Sequence, residues 1–104
     1  MTLQLTAYMG TESTTMREDK AHCKALQLAA YHLPNGHTVN VGHGRWMSPE
    51  RGLVSEKTVQ VMVWAADRKD PVFKAFYQMC ADYKAAAAQD AVGVTIQEVD
   101  LDFV

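Results

Sequence analysis

Apolar and polar residues alternate along the first strand-length of chain. Leu3, Leu5, Ala7 and Met9 fall on one face, and Gln4, Thr6 and Tyr8 on the other. A period of two marks a half-buried strand. GTESTT, residues 10 to 15, breaks the alternation, and Thr15 followed by Glu18 has capping-box spacing, so a helix is predicted to begin there. Through MREDKAHCKALQLAAYHL the apolar stripe at helical spacing is Met16, Cys23, Leu26, Ala30 and Leu33. Leu-Pro-Asn-Gly at 33 to 36 ends the helix, since proline biases its predecessor away from helical backbone and Asn-Gly supplies a turn.

Period two then returns. HTVNVGHGRW, residues 37 to 46, reads as a strand; MSPERG, 47 to 52, reads as a loop. LVSEKTVQVMVW, 53 to 64, is the longest strand, with Val59, Val61 and Val63 on one face and Thr58, Gln60, Met62 and Trp64 on the other. The two segments form a predicted hairpin. Centring its loop on Glu50 sets Arg45 across from Ser55, Gly44 across from Glu56 and His43 across from Lys57. Asp70 as N-cap with Pro71 at the first helical position starts a second helix. Its stripe of Val72, Phe73, Phe76, Met79, Cys80, Tyr83 and Ala87 carries it to about Ala88. In the closing segment Val92, Val94 and Ile96 share one phase and Val99, Leu101 and Phe103 the other, which predicts a bulge or strand break near Gln97–Glu98.

The order β-α-β-β-α-β defines an α+β, ferredoxin-like two-layer sandwich. Right-handed crossovers place the first and third strands centrally and both helices on one face of an antiparallel sheet. The 104 residues make a single domain, and 48% apolar with 21% charged residues is ordinary for a soluble one.

Charge narrows the function classes. The net charge is −2 with a pI near 6.0, and lysine and arginine are scattered, so no nucleic-acid partner is expected. No apolar run approaches the roughly 18 residues of a membrane span. TLQLTAYMG has neither the basic start nor the apolar run of a signal peptide, which gives a cytoplasmic expectation. Cys23 and Cys80 both fall on the predicted inward helix faces and read as buried thiols in a reducing compartment. His37 and His43 share a strand but lie roughly 20 Å apart at ~3.3 Å per residue. With no HxH, HxxxH or CxxC pair, no metal is expected. GxSxG, P-loop and dinucleotide motifs are absent, and no cofactor is expected.

Four motifs stand in order along the chain: PNGHTV (34–39), GRW (44–46), GLVSEKTV (52–59) and YKAAAAQDAV (83–92). Together they make residues 33 to 103 resemble the family known as domain of unknown function 3574. The resemblance implies the fold; the family has no established activity to carry over. Its members often have a secretory or lipoprotein leader, which the opening residues here do not resemble.

GHGRW, residues 42 to 46, has two readings. Structurally it is the bulged end of a hairpin, its glycines bending the strand so that Arg45 pairs with Glu56 while Trp46 closes the core. Functionally His43 is a general base or ligand contact, with Arg45 on an anion. The second layer leaves one sheet face open, and Tyr8, Met62 and Trp64 stand there among hydrogen-bonding side chains. That mixture suits a contact surface.

The leading expectation is therefore a non-enzymatic domain that self-associates as a homo-oligomer. It would bind a partner protein or small ligand through its open face, with Tyr8, His43, Arg45, Glu56 and Trp64 as contacts. The alternative is a small enzyme of the dimeric α+β barrel type using the same residues on an organic substrate. A third is a viral inhibitor or sponge protein.

Overall fold

A computed structural model describes all residues, Met1 to Val104. Strand β1 (Thr2–Gly10) leads to helix α1 (Glu18–His32), then β2 (Thr38–Ser48), β3 (Gly52–Ala65), helix α2 (Pro71–Ala86) and β4 (Gly93–Val99). The sheet is antiparallel, in the order β2-β3-β1-β4. The ferredoxin-like arrangement and the central pair β1 and β3 are as the alternation predicts.

The core lies between the sheet and the helices. Leu5, Ala7 and Met9 of β1 and Val59, Val61 and Val63 of β3 are buried against Ala25, Leu28 and Ala29 of α1 and Phe76, Met79 and Tyr83 of α2. Asp70 caps α2 by accepting from the Val72 backbone N–H at 2.9 Å, and it also accepts from the Ala66 N–H at 2.9 Å. These two bonds hold its carboxyl below the usual aspartate range.

Helix α1 corrects the predicted stripe. Its buried residues are Ala21, Ala25, Leu28 and Ala29, whereas Cys23, Leu26 and Ala30 are exposed. Small alanines let the helix approach the sheet closely, so the inward face is the one with least volume. Cys80 is buried as expected, and burial pushes its thiol up to about 11. The start of α1 differs too. Arg17 occupies the N-cap with no side-chain cap, and the Thr15 hydroxyl is used elsewhere.

The hairpin register is the predicted one, with His43 opposite Lys57, Gly44 opposite Glu56 and Arg45 opposite Ser55. Pairing runs unbroken from Thr38–Met62 to Ser48–Gly52, so GHGRW contains no bulge. The reversal happens at the tip: the Ser48 hydroxyl accepts from the Glu50 and Arg51 N–H groups, and Gly52 takes a left-handed φ of 74°. Strand β4 likewise pairs without a bulge as far as Val99, and the phase change is simply where the strand stops. Beyond it, Phe103 comes back edge-on to Trp64, with ring centroids 6.1 Å apart.

Only Thr58 to Ala65 of β3 pair with β1. The tip-side half of β2–β3 is therefore a two-stranded arm beyond the four-stranded sheet, and the molecule measures 44 × 24 × 24 Å.

Candidate functional site

Three segments meet at the foot of the arm: the β1–α1 loop, the α2–β4 loop and the arm itself. The loop after β1 begins with Thr11, buried, whose N–H and hydroxyl both donate to the Lys57 carbonyl, at 3.1 and 2.7 Å. Ser13 and Thr15 then cap the far helix. Their hydroxyls donate to the carbonyls of Ala87 and Ala86, at 2.6 and 2.8 Å, satisfying acceptors that a helix end leaves free. The Gln89 side chain donates to the Glu12 carbonyl at 2.5 Å and ties the second loop to the first.

Glu56 is fixed at the junction. Its carboxylate accepts from the Glu12 backbone N–H at 2.9 Å and lies flat over Gly10. A Cβ at position 10 would sit 2.5 Å from the Glu56 Oε1, so glycine leaves the space the carboxylate fills. Gly44 does the same for Thr58, whose hydroxyl would be 2.6 Å from a Cβ there. The open sheet face is thus low around Gly10 and Gly44, with side chains lying across the strands. Beneath, the buried Tyr83 hydroxyl donates to the Gly10 carbonyl at 2.6 Å. Burial first, and the nearby Glu56 charge second, push Tyr83 up to about 12.

Arg51 at the hairpin tip closes this corner. Its guanidinium pairs with the Glu12 carboxylate and stands 5.9 Å from the centroid of the Trp46 ring. The hydrogen bond and charge of Glu12, with lesser help from Glu50 and Glu56, raise its pKa. Between arm and loops runs an open groove of about 920 Å³, lined by Glu12, Trp46, Glu50, Arg51, Glu56 and Asp90 among others.

The structure distributes the five predicted site residues over three places. Tyr8 and Trp64 stand on the open sheet face, the Tyr8 hydroxyl 3.5 Å from the Thr95 hydroxyl and the Trp64 indole N–H donating to Gln4 at 3.5 Å. Glu56 belongs to the groove. His43 and Arg45 are exposed on the arm, and unbroken strand alternation puts them on the side opposite Glu56. The expected Arg45–Glu56 pair is therefore not made; the ion pairs are Arg17–Asp19 and Arg51–Glu12, and the His32 ring is hydrogen-bonded to Asp82 at 2.8 Å. Sequence reasoning missed Glu12 and Arg51, which are 39 positions apart and are joined only by tertiary structure. No three His, Cys, Asp or Glu side chains converge closely enough to hold a metal ion. No helix is long and apolar enough to cross a membrane.

Fold and groove define a small ferredoxin-like α+β domain with a polar cleft at one end of its sheet. The chain belongs to the family described as protein of unknown function (DUF3574), whose model matches residues 8–103 and so takes in the end of β1 and all of α1 as well as the segments whose motifs resemble it. None of the curated proteins matches it in sequence. Among solved structures, a phage SAM lyase in complex with S-methyl-5'-thioadenosine is similar at a TM-score of 0.66 and 18% identity, over 93% of this chain and 81% of that one. The de novo designed protein Foldit4 matches at 0.58 and 11% identity, over 96% and 100%. CutA of Pyrococcus horikoshii matches at 0.54 and 10% identity, over 99% and 88%. At these identities the likeness is one of fold.

Proposed function

We propose that this protein is a self-associating binding domain: its open sheet face packs on a second copy, and the groove at the foot of the arm takes a small polar ligand. One observation carries the reading. The open face presents Tyr8, Met62 and Trp64 among Gln4, Thr38, Asn40 and Gln60, and no second layer covers them. Aromatic and methionine side chains set among hydrogen-bonding groups are the composition of an interface core with a polar surround. Light scattering tests it. A mass at least twice the 11.6 kDa chain is expected, and a strict monomer at high concentration would overturn the reading.

A second reading, an enzyme, is favoured by the way Glu56 is held. A half-buried carboxylate with one oxygen bonded to a backbone N–H and the groove before it has the setting a base or a charge stabiliser needs. The same fold serves catalysis in the phage SAM lyase. Incubating the protein with SAM and looking for S-methyl-5'-thioadenosine by chromatography tests this reading. Product that vanishes in Glu56→Gln supports it, and no product removes the lyase version.

A further inference from the structure

The groove holds four carboxylates, from Glu12, Glu50, Glu56 and Asp90, against the single cation of Arg51. That charge is spread along the walls, too dispersed to hold a bare metal ion. A larger, softer cation fits such a distribution better, because it meets several carboxylates without stripping its hydration at one point. The wall also carries Trp46, 43% exposed, and an aromatic face attracts ammonium and guanidinium groups within about 6 Å of its centroid.

Arg51 shows the arrangement in use. Its guanidinium lies against the Glu12 carboxylate and over the Trp46 ring, carried there by its own side chain from the tip of the hairpin. Arg51 is half-exposed, and solvent screens its pairing with Glu12, so the contact is one the fold can give up. It is a chain-borne cation in a position that a free one can take.

We propose that the groove binds an organic cation, its ammonium, guanidinium or sulfonium head seated between Glu12 and the Trp46 ring, and that Arg51 is the internal occupant which such a ligand displaces. This rests on the reading of the groove as a ligand site. Because Arg51 is tethered, it competes at a high effective concentration, and removing it frees the site. The Glu56 carboxylate, anchored to the Glu12 N–H, keeps the loop that carries Glu12 in place during the exchange.

The probes are choline and its uncharged isostere 3,3-dimethylbutanol. The readout is the pair of indole N–H resonances of the ¹⁵N-labelled protein, since Trp46 and Trp64 are the two tryptophans. Choline is expected to move the Trp46 resonance and leave Trp64, on the open face, in place. Arg51→Ala should bind choline about tenfold more tightly than wild type, and Glu12→Gln in that background should give most of the gain back. The uncharged alcohol should move neither resonance. If alcohol and choline shift Trp46 equally, the groove is a ligand site but not a cation site, and the inference falls alone. If neither probe shifts Trp46 even in Arg51→Ala, the groove reading falls with it, while the mass measurement still decides self-association.

Discussion

At the scale of single residues, Ala88 is the residue under strain. It is the one residue other than glycine with a positive φ, at 51°, and it sits one position past the cap of α2. Its N–H donates to the Ala85 carbonyl at 3.4 Å and the Gln89 N–H to the Lys84 carbonyl at 3.0 Å, the paired bonds of a Schellman motif. That position favours glycine, and an L-residue there costs about 1 kcal/mol or more. Ala88→Gly is expected to stabilise the fold by about 0.5–1 kcal/mol, part of the gain being lost to the greater freedom of glycine in the unfolded chain. Urea unfolding measures it as a higher midpoint at unchanged slope. A midpoint that stays put or falls would show the alanine to be unstrained. An alanine run with no glycine carries no stop signal, which is why the end expected at about Ala88 overshoots Ala86 by two positions. Thr15 misled for a related reason. Its spacing from Glu18 is that of a local cap, but its hydroxyl serves Ala86, 71 positions away, and such a partner leaves no mark in neighbouring sequence.

At the scale of elements, strands were legible and helix faces less so. Alternation fixes strand faces, and a tight hairpin fixes register, so the partners of His43, Gly44 and Arg45 follow from counting. On α1 several alanines and leucines fit more than one stripe, and contact with the sheet selected the thinnest. GHGRW looks like a bend in sequence, but the strand runs on through it: Gly44 leaves room for the Thr58 side chain to lie down, as Gly10 on β1 does for Glu56, a requirement set by neighbouring strands. Helix α2 is joined to that corner by Tyr83, and this gives a pH prediction. The Tyr83 hydroxyl is raised from 10.0 to about 12, so between those values the folded state holds a proton that the unfolded state has lost. Stability is therefore full below pH 10 and falls as pH climbs toward 12, by on the order of 2–3 kcal/mol from this group. Cys80, raised from 9.0 to about 11, begins the decline a unit earlier with the same sign. Tyr83→Phe should cost about 1 kcal/mol at neutral pH through the lost bond to the Gly10 carbonyl. It should also flatten the decline above pH 10, leaving the Cys80 part. Urea unfolding across this range checks it; an unchanged alkaline slope would mean that Tyr83 does not carry the effect.

At the scale of the whole molecule, one chain leaves two apolar surfaces uncovered, and they compete as interfaces. The first is the open sheet face, where Trp64 already draws the tail residue Phe103 onto itself. The second is the helix-side face of the arm, where Met47 and Leu53 pair across the strands at 70% and 62% exposure. An isolated two-stranded ribbon is marginal in water, so the arm gains from any surface that covers it. Its outer strand β2 is also a sheet edge, and the charge of Arg45, with the polar His43 on the same face, discourages edge-to-edge pairing. This is an ordinary role for two residues that look chemical in sequence, and it weighs against the arm as the main contact. The open face has no such guard: its row of Tyr8, Gln60 and Asn40 and its row of Gln4 and Trp64 are uncharged. Trp64→Arg is therefore expected to reduce the light-scattering mass to the 11.6 kDa of one chain, while Met47→Lys with Leu53→Lys leaves the assembly intact. A charge buried without a partner in an interface core costs several kcal/mol, enough to dissociate a complex of ordinary affinity, whereas lysines on a solvated ribbon cost almost nothing. The reverse outcome, monomers from the arm variant alone, would move the interface to the arm and leave the open face as the surface for another partner.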